Sequence, residues 1–478
     1  MIHGYAASAS VWPGQRLVLH VATDALRFRV GFFRWAGKLV HMLTSGWVGG
    51  ECAPERSAGQ DWEWPAYGFT LPAGWPSGVY IAHLEEPGAA APQVGMQDAA
   101  VLFVVRGYGV DKLLYKIPLA TYNAYNYSGG GCYYANPPRS STPPGARLSF
   151  RRPGGGIGRP TYGAPDHCDA TSPRQTFAHW DARFIGWLMH KGYACEFCTD
   201  LDIHADPGVL RNYRLMLSVG HDEYWSEAMR DGVQRFIGRG GNAAFFCANL
   251  CWWRIHLVDG ASAMACHQGG PQGARDHWWP TSGAARPEDT LAGVSYRHGG
   301  GWWDGPRDSA WFAVQDAGHW VFAGTDLRDG QFFGAGTAPP LAGYECDGTP
   351  LAGFDRHTGM ASLAPTAHQC GTPALFHLLA ACPLDARWQE LPPREPQAAA
   401  GAIHAATMGI TTRVGTVFTA GTTDWAQVLG SGQDGRVDHI TSNVIDGLLR
   451  AAPFEHAHTT REAPVPAMSH SLLKAAAP

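Results

Sequence analysis

Apolar residues in the first hundred positions occur in short runs separated by glycine or proline, as in RLVLHVAT, FRVGFFRWAG and GVYIAHLEE. Runs of this length, several with alternating polar positions, are typical of antiparallel strands in a β-sandwich. The pattern predicts a small β-sandwich domain over residues 1–105. The alternative is a β-rich flap that belongs to the following domain.

The run PSGVYIAHLE has the character of a late strand in an immunoglobulin-like module. Its glycine releases the chain from a turn, and the alternating residues that follow would fill one face of a sheet. We therefore expect the first domain to be an immunoglobulin-like β-sandwich.

From residue 106 the pattern changes to alternating buried strands and amphipathic helices. The helical stretches are TFAHWDARFIGWLMHKG and EAMRDGVQRFIGRGG, and the apolar strands are YACEFCTD, RLMLSVG and NAAFFCANL. This alternation predicts an α/β domain over 106–455, with a parallel sheet flanked by helices. The alternation of strands and helices is lost over residues 255–400, which predicts an insertion of loops and short strands. The composition of residues 456–478 predicts a flexible tail.

Composition excludes several classes of partner. The formal charge is −5 and no Lys/Arg run occurs, which argues against nucleic acid. No segment approaches 18 apolar residues, and the N-terminus lacks the pattern of a secretory signal, so no membrane partner is expected. The 11 cysteines are an odd number spread along the chain, which favours reduced thiols. These features predict a soluble cytoplasmic protein.

One stretch, LMLSVGHDEYWSEAM at 215–229, carries candidate chemistry. In a parallel α/β sheet, ligands bind beyond the carboxyl ends of the strands, and HDEYWS lies at such an end. Glu223 is therefore a candidate functional carboxylate. The alternative is that His221 and Asp222 cap the next helix and Glu223 faces solvent.

The α/β pattern resembles the class I glutamine amidotransferase architecture, in which this strand-to-helix elbow carries a nucleophilic cysteine. Here the tip holds no Cys or Ser, because Ser226 lies too far into the helix and Cys247 lies within a strand. A carboxylate at the elbow indicates metal-assisted or general-base chemistry instead.

Five motifs occur in order: TYNAYNYSGG (121–130), GHDEYWS (220–226), FFCANLCWWRI (245–255), GYECDG (343–348) and AGTTDWAQVL (420–429). As a set, over about residues 100–455, they resemble the large, catalytic subunit of N,N-dimethylformamidase and its relatives. That resemblance implies an amidotransferase-like α/β domain preceded by an immunoglobulin-like module. It also implies one iron ion held by two tyrosines and a glutamate.

Motif by motif, the resemblance assigns the carboxylate ligand to Glu223 and one phenolate ligand to Tyr125, with Tyr122 as its rival. The second phenolate is assigned to Tyr162 in RPTYG. Three other tyrosines lie close to it in sequence, and they are Tyr127, Tyr133 and Tyr134. Two phenolates and a carboxylate are hard oxygen donors that suit ferric iron.

The same comparison assigns three residues to catalysis. His221 and Asn249 would orient the substrate or the oxyanion, and Glu345 would be the general base. The alternatives are a capping or core histidine for His221 and an exposed turn carboxylate for Glu345.

The function implied is iron-dependent hydrolysis of a small or N-substituted amide to a carboxylic acid and an amine. The implied partners are the amide substrate, further copies of the chain in a homo-oligomer, and a small subunit. One alternative is a non-catalytic binding protein that recognises carbohydrate or a protein partner. Another is a hydrolase that uses Glu223 and Glu345 as a carboxylate pair.

Overall fold

The computed structural model describes residues 1–90, 99–134, 145–157, 175–268, 273–302, 305, 311–388 and 402–450. Tyr162 and the predicted tail at 456–478 lie outside these ranges. Within them, no helix combines the length and the apolar character needed to cross a membrane.

The described strands from Ile2 to Val105 form two sheets that share a core. They are β1 (Ile2–Ala6), β2 (Ser10–Val11), β3 (Arg16–Thr23), β4 (Arg27–Trp35), β5 (Leu39–Thr44), β6 (Val48–Gly49), β7 (Ala66–Thr70), β8 (Gly78–Glu85) and β9 (Ala100–Val105). One sheet has the order β1-β3-β7, and the other has the order β2-β9-β8-β4-β5. Phe28 and Phe32 meet Tyr67 and Phe69 of the facing sheet edge-on, at centroid distances of 4.8 and 5.6 Å. These aromatic contacts join the two layers.

Strand β8 is buried on both faces. Tyr80 and Ala82 belong to the core between the two sheets, whereas Val79 and Ile81 belong to a second core that also contains Phe184. The alternating pattern of GVYIAHLE predicts one filled face, and the structure fills the other face as well. The first hundred residues are therefore packed against the rest of the chain through apolar side chains.

Beyond Val105, the described strands and helices lie between Leu113 and Arg450. The strands are β10 (Leu113–Ile117), β11 (Arg147–Ser149), β12 (Glu196–Thr199), β13 (Leu215–His221), β14 (Tyr224–Trp225), β15 (Asn242–Ala248), β16 (Trp253–Arg254), β17 (His256–Val258), β18 (Ala263–Ala265), β19 (Ser295–Gly300), β20 (Phe312–Val314), β21 (Phe332–Phe333), β22 (Cys346–Gly348), β23 (Leu351–Phe354), β24 (Ala361–Leu363), β25 (Phe376–Pro383), β26 (Ala405–Thr412) and β27 (Thr416–Thr419). The helices are α1 (Leu119–Ala124), α2 (Asp181–Lys191), α3 (Asp200–Ala205), α4 (Glu227–Gly238), α5 (Asp289–Ala292), α6 (Ala367–Cys370), α7 (Trp425–Val428) and α8 (Gly435–Arg450).

A nine-stranded sheet has the order β12-β10-β13-β15-β27-β26-β25-β20-β21. Neighbours from β12 to β27 pair in parallel, and those from β27 to β21 pair antiparallel. Strands β20, β21 and β25 come from the 255–400 segment. That segment therefore extends the sheet at its edge in addition to supplying loops.

The parallel strands are covered on both faces. Leu215, Leu217 and Val219 of β13 join the core formed with α2, α7 and α8, while Met216 joins the core formed with α3 and α4. Apolar residues at successive positions are what a strand buried on both faces requires. The nearly continuous apolar character of LMLSVG, interrupted only by Ser218, has this cause.

The end of β13 depends on Gly220, which has φ of +73°. A Cβ built on Gly220 would lie 2.6 Å from Cβ of Trp180. Both the left-handed backbone and the close approach of the indole exclude a side chain here. Gly220 therefore sets the direction in which the chain leaves the strand toward His221 and Glu223.

We expect Gly220→Ala to lower the free energy of unfolding by about 2 to 4 kcal/mol, because it combines a left-handed Cβ penalty with overpacking against Trp180. The measurement is urea denaturation of the purified protein. Gly238→Ala is the matched control, since Gly238 lies in α4 with open space around its Cβ position. Its stability should be unchanged or raised by up to about 1 kcal/mol. Equal effects of the two substitutions would contradict this role of Gly220.

Candidate functional site

Two phenols converge on one carboxylate beyond the end of β13. The hydroxyl of Tyr125 donates to Glu223 Oε2 at 2.8 Å, and that of Tyr134 donates to Glu223 Oε1 at 2.7 Å. The two tyrosine rings are stacked, with centroids 4.1 Å apart. The Tyr134 hydroxyl also lies 2.6 Å from the hydroxyl of Tyr224. Oxygen atoms of several anionic or ionisable side chains therefore meet at one point.

The sheet brings these residues together. Tyr125 is the residue that ends α1, which follows β10, and β10 pairs with β13. Thr121 of α1 accepts hydrogen bonds from the backbone N–H of Glu223 and of Tyr224, at 3.0 and 3.3 Å. The helix thus fixes the backbone of the elbow as well as the position of Tyr125.

Asp222 turns away from this cluster. Its carboxylate lies 2.5 Å from Lys116 Nζ of β10 and accepts a hydrogen bond from the Trp225 indole at 2.9 Å. Lys116 and Asp222 are both buried. Because successive side chains of an extended segment point to opposite sides, anchoring Asp222 below the elbow directs His221 and Glu223 above it.

A second set of polar side chains adjoins Glu223. Nε2 of His221 lies 2.8 Å from Glu345 Oε2 and 3.4 Å from Glu223 Oε2. The amide of Asn249 donates to the same Glu345 oxygen at 2.8 Å. Nδ1 of His221 lies 2.7 Å from Oε1 of Gln175. His221 is thus held between two carboxylates and an amide.

These groups have strongly shifted pKa values. Burial raises the pKa of Glu223 to about 7, against the opposing attraction of His221. Burial acts to lower the pKa of His221, but its attraction to Glu345 and Glu223 outweighs burial and raises the pKa to about 9. Burial acts to raise the pKa of Glu345, but His221 and the hydrogen bond from Asn249 lower it below its ordinary value. At neutral pH, Glu345 is a carboxylate beside a cationic imidazole.

Burial also keeps the phenols protonated. It raises the pKa of Tyr125 and of Tyr134 well above the ordinary value, and the charge of Glu223 adds to the effect. Only a cation at this point would favour loss of the phenolic protons.

The loop that carries Glu345 is held by the last of the five motifs. Thr423 accepts a hydrogen bond from the Glu345 backbone N–H at 3.3 Å, and its own N–H donates to the Glu345 carbonyl at 3.1 Å. Thr422 donates to the Leu341 carbonyl at 2.8 Å. Tyr344 has φ of +42°, a conformation that non-glycine residues adopt only where surrounding contacts enforce it.

Asn249 is positioned in a comparable way. It has φ of +51° at the end of β15, and its backbone N–H donates to Asp347 Oδ1 at 2.8 Å. Asp347 also accepts from the N–H of Leu250 at 3.0 Å. Oδ1 of Asn249 is buried and has no hydrogen-bond partner among the described residues. It is therefore a buried acceptor on the residue whose amide nitrogen contacts Glu345.

Five of the six predicted site residues come together: Tyr125, His221, Glu223, Asn249 and Glu345. The sixth, Tyr162, lies outside the described residues. The alternative of a solvent-facing Glu223 is wrong, since its exposed fraction is 2%, and Ser226 caps α4 in its place. The alternative of an exposed turn for Glu345 is also wrong, because this side chain is buried.

The other candidate tyrosines differ in whether they contact Glu223. Tyr122 does not reach Glu223, because its hydroxyl donates to Asp181. The hydroxyl of Tyr133 donates to the Met264 carbonyl at 3.2 Å. Tyr134, which the sequence leaves as one of several neighbours of Tyr162, is the one that contacts Glu223.

Sequence reasoning missed four residues of the site. Tyr224 and Tyr344 directly follow or precede Glu223 and Glu345, so their adjacency to a predicted residue was an available signal. Asp347 lies within GYECDG, where a second carboxylate two residues after Glu345 is a further signal. Gln175 is distant in sequence from each motif, and no local pattern indicates it.

The donor set suits a hard, highly charged cation. Two phenolic oxygens and a carboxylate lie within hydrogen-bond distance of each other, and no soft sulfur donor is among them. Such oxygen donors favour iron in its ferric state over softer ions. The oxygen donors of Tyr125, Tyr134 and Glu223 are therefore of the type that fits the iron ion implied by the resemblance.

Comparisons with known proteins identify relatives of this chain. It is similar to the N,N-dimethylformamidase beta subunit of an Alcaligenes species, with 30% identity over 79 residues, which are 16% of this chain and 10% of that protein. The beta subunit of Paracoccus aminophilus is 32% identical over 79 residues, with the same shares. The matched segment thus spans about a tenth of the length of these curated relatives.

Among solved structures, an Escherichia coli alpha-2-macroglobulin spanning domains NIE-MG1 is 17% identical and has a TM-score of 0.13. The match covers 22% of this chain and 61% of that one. Over most of the sequence, residues 27–438 match the family profile described as N,N-dimethylformamidase beta subunit-like, C-terminal. The chain therefore belongs to the N,N-dimethylformamidase beta subunit-like family.

Proposed function

We propose that this protein is an iron-dependent amide hydrolase. The observation that carries the proposal is the convergence of Tyr125 and Tyr134 on Glu223, next to the His221, Asn249 and Glu345 cluster. Family membership supports hydrolysis of an amide, and the oxygen donor set supports iron.

In this proposal Tyr125, Tyr134 and Glu223 hold the ion. When bound, ferric iron would polarise an amide carbonyl and make water more acidic. Tyr125 and Tyr134 would release their phenolic protons to solvent on binding the cation, and both hydroxyls already contact Glu223.

Glu345 is the general base. Its carboxylate is held in the charged form by His221 and Asn249, so it can accept a proton from the attacking water and return it to the departing amine. A carboxylate kept in a fixed position within a buried site avoids the cost of reorganising solvent during the reaction.

His221 and Asn249 position the substrate. The protonated imidazole of His221 stabilises negative charge that develops on the carbonyl oxygen. The unpartnered Oδ1 of Asn249 can accept a hydrogen bond from water, or from the N–H of those amides that carry one.

The proposed substrates are small or N-substituted amides, because the relatives are named for N,N-dimethylformamide. The word subunit in those names supports an assembly of more than one chain. We propose that this chain forms a homo-oligomer and that it works with a small partner subunit. The parallel strands β12, β10, β13, β15 and β27 with their helices would be its amidotransferase-like domain, with Glu223 at the position of the nucleophile.

We expect Tyr125→Phe and Tyr134→Phe each to weaken a phenolate-to-iron charge-transfer band and to lower the iron content of the purified protein, because each removes one donor oxygen. The measurement is visible absorption combined with metal analysis. Tyr133→Phe is the matched control, since the Tyr133 hydroxyl bonds only to backbone carbonyls in the described contacts.

The same experiment includes Tyr162→Phe. The assignment of Tyr134 predicts that this variant keeps the band. Loss of the band in Tyr162→Phe, together with an unchanged spectrum in Tyr134→Phe, would transfer the second phenolate to Tyr162 and overturn the assignment of Tyr134.

Glu223→Gln should leave the fold intact and reduce bound iron to below about a tenth of the wild-type level, because the neutral amide removes the anionic ligand that both phenols contact. Metal analysis and far-UV circular dichroism test the two parts. Glu227→Gln, four residues further along, is the control, because the Glu227 side chain is 58% exposed. A folded Glu223→Gln variant with full iron content would exclude the proposed site.

For Glu345→Gln we expect full iron content and a fall of about 10²- to 10⁴-fold in the rate of amine release from N,N-dimethylformamide or formamide. The reason is that a carboxamide can keep the contact with Asn249 but cannot accept the proton. Unchanged turnover in this variant would remove Glu345 from the role of base. If the iron-loaded wild type hydrolyses no amide in a panel of formamides and acetamides, the hydrolase proposal itself fails.

A further inference from the structure

A second cluster of metal-ligating side chains lies outside the site described above. His256 is the first residue of β17, His267 follows β18, and Asp276 ends the turn of 3-10 helix at Gly273–Asp276. Among the described residues, these three offer one ligand atom each, all within 4.8 Å of one another. We propose that His256, His267 and Asp276 bind a divalent ion of the zinc class.

The geometry of the three side chains supports this. Nε2 of His256 lies 2.9 Å from Asp276 Oδ1, and Nδ1 of His267 lies 2.8 Å from Asp276 Oδ2. A tetrahedral zinc ion with bonds of about 2.0 Å separates its ligand atoms by about 3.3 Å. The two contacts end at different oxygens of Asp276, and one ligand atom from each residue lies within 4.8 Å of the others, so small rotations of the imidazoles would bring the three ligand atoms to this spacing. The metal would then replace the protons of the two hydrogen bonds.

The burial of the cluster is asymmetric in a way that suits an ion. The Asp276 side chain is fully buried, while those of His256 and His267 are 42% and 23% exposed. The Asp276 carboxylate is thus held within the protein interior. The fourth coordination position of the ion would face solvent. Two histidines and one carboxylate with one open position is a ligand set that zinc adopts in proteins.

One arginine lies near this cluster and could compete with an ion for Asp276. Nη2 of Arg254 lies 3.6 Å from Asp276 Oδ1. The same guanidinium is already bonded to Glu227 at 2.9 Å and to the Arg275 carbonyl at 2.8 Å. It can keep those two bonds when an ion neutralises Asp276.

The ion would cross-link the segments that pack behind the tyrosines of the first site. The β17–β18 hairpin carries Met264, whose carbonyl accepts the Tyr133 hydroxyl. Cys266, next to His267, belongs to the same apolar cluster as Tyr133 and Tyr224. Holding His256 and His267 to Asp276 through a metal would therefore rigidify the wall against which Tyr224 and Tyr134 pack.

The test is zinc binding by the full chain, loaded with iron and freed of excess metal by gel filtration. We expect one zinc per chain in the wild type and loss of at least about nine-tenths of it in His256→Gln and in His267→Gln. Iron content should be unchanged in both variants. The matched control is His377→Gln, because His377 forms a similar pair with Asp316 at 2.8 Å and is 47% exposed.

A Glu223→Ala variant separates this inference from the proposed function, because it lacks the carboxylate of the tyrosine site but should still bind zinc. Co²⁺ added to the same protein should give the visible spectrum of a four-coordinate ion. If the wild type retains no zinc, or the two histidine variants retain as much as the control, the cluster is a set of hydrogen bonds only. If a histidine variant fails to fold, the cobalt spectrum of the Glu223→Ala protein decides, and an octahedral spectrum overturns the proposal.

Discussion

Glu223 and Glu345 are both buried, and His221 is the cation that lies between them. Removing two carboxylates from water is costly unless each is paired and hydrogen-bonded. His221 lies 3.4 Å from Glu223 and 2.8 Å from Glu345. Asn249 also donates to Glu345, and the two phenols donate to Glu223. The surrounding loops are arranged to hold these partners. A cation bound by Glu223 would relieve the repulsion between the two carboxylates, so metal binding and the state of Glu345 are electrostatically linked.

A second buried ion pair, between Lys116 and Asp222, lies on the other side of the elbow from His221 and its two carboxylates. Lys116 and Asp222 are fully enclosed, and Lys116 also lies 4.7 Å from the ring of Trp225. Such a pair contributes little net stability compared with apolar residues of the same size, but removing one partner leaves an uncompensated charge. Its effect here is on orientation. Because Asp222 is held on one side of the elbow, the adjacent side chains of His221 and Glu223 point to the other side. The positive φ of Gly220 allows the same turn.

The sequence predicts some features of this molecule and leaves others open for physical reasons. The strand pattern predicts Glu223, because a continuous apolar strand marks where a parallel β-strand ends and polar residues at such ends meet at one edge. The family resemblance, and not the strand pattern, assigns the roles of His221 and Asn249. The sequence does not distinguish Tyr134 from the tyrosines near it, because periodicity does not report which residue of an irregular loop turns inward. Gln175 contacts His221 from a distant position, and such a contact depends on tertiary packing alone. The burial of β8 on both faces also depends on tertiary packing. The alternation of residues within β8 does not show that residues distant in sequence cover its second face.

The position of Glu345 shows how the antiparallel part of the large sheet contributes to chemistry at the parallel part. The loop with Glu345 lies far along the chain from β13, and its backbone is fixed by Thr422 and Thr423, which closely follow β27. Because β27 pairs in parallel with β15 and antiparallel with β26, it is the strand at which the sheet changes direction. Residues after β27 therefore emerge at the same edge as Asn249 after β15. A chain reversal at this point allows a segment from the second half of the protein to place a carboxylate against a histidine from the first half. The general base would then be held by the same sheet as the elbow, and their separation would be set by strand pairing instead of by loop flexibility.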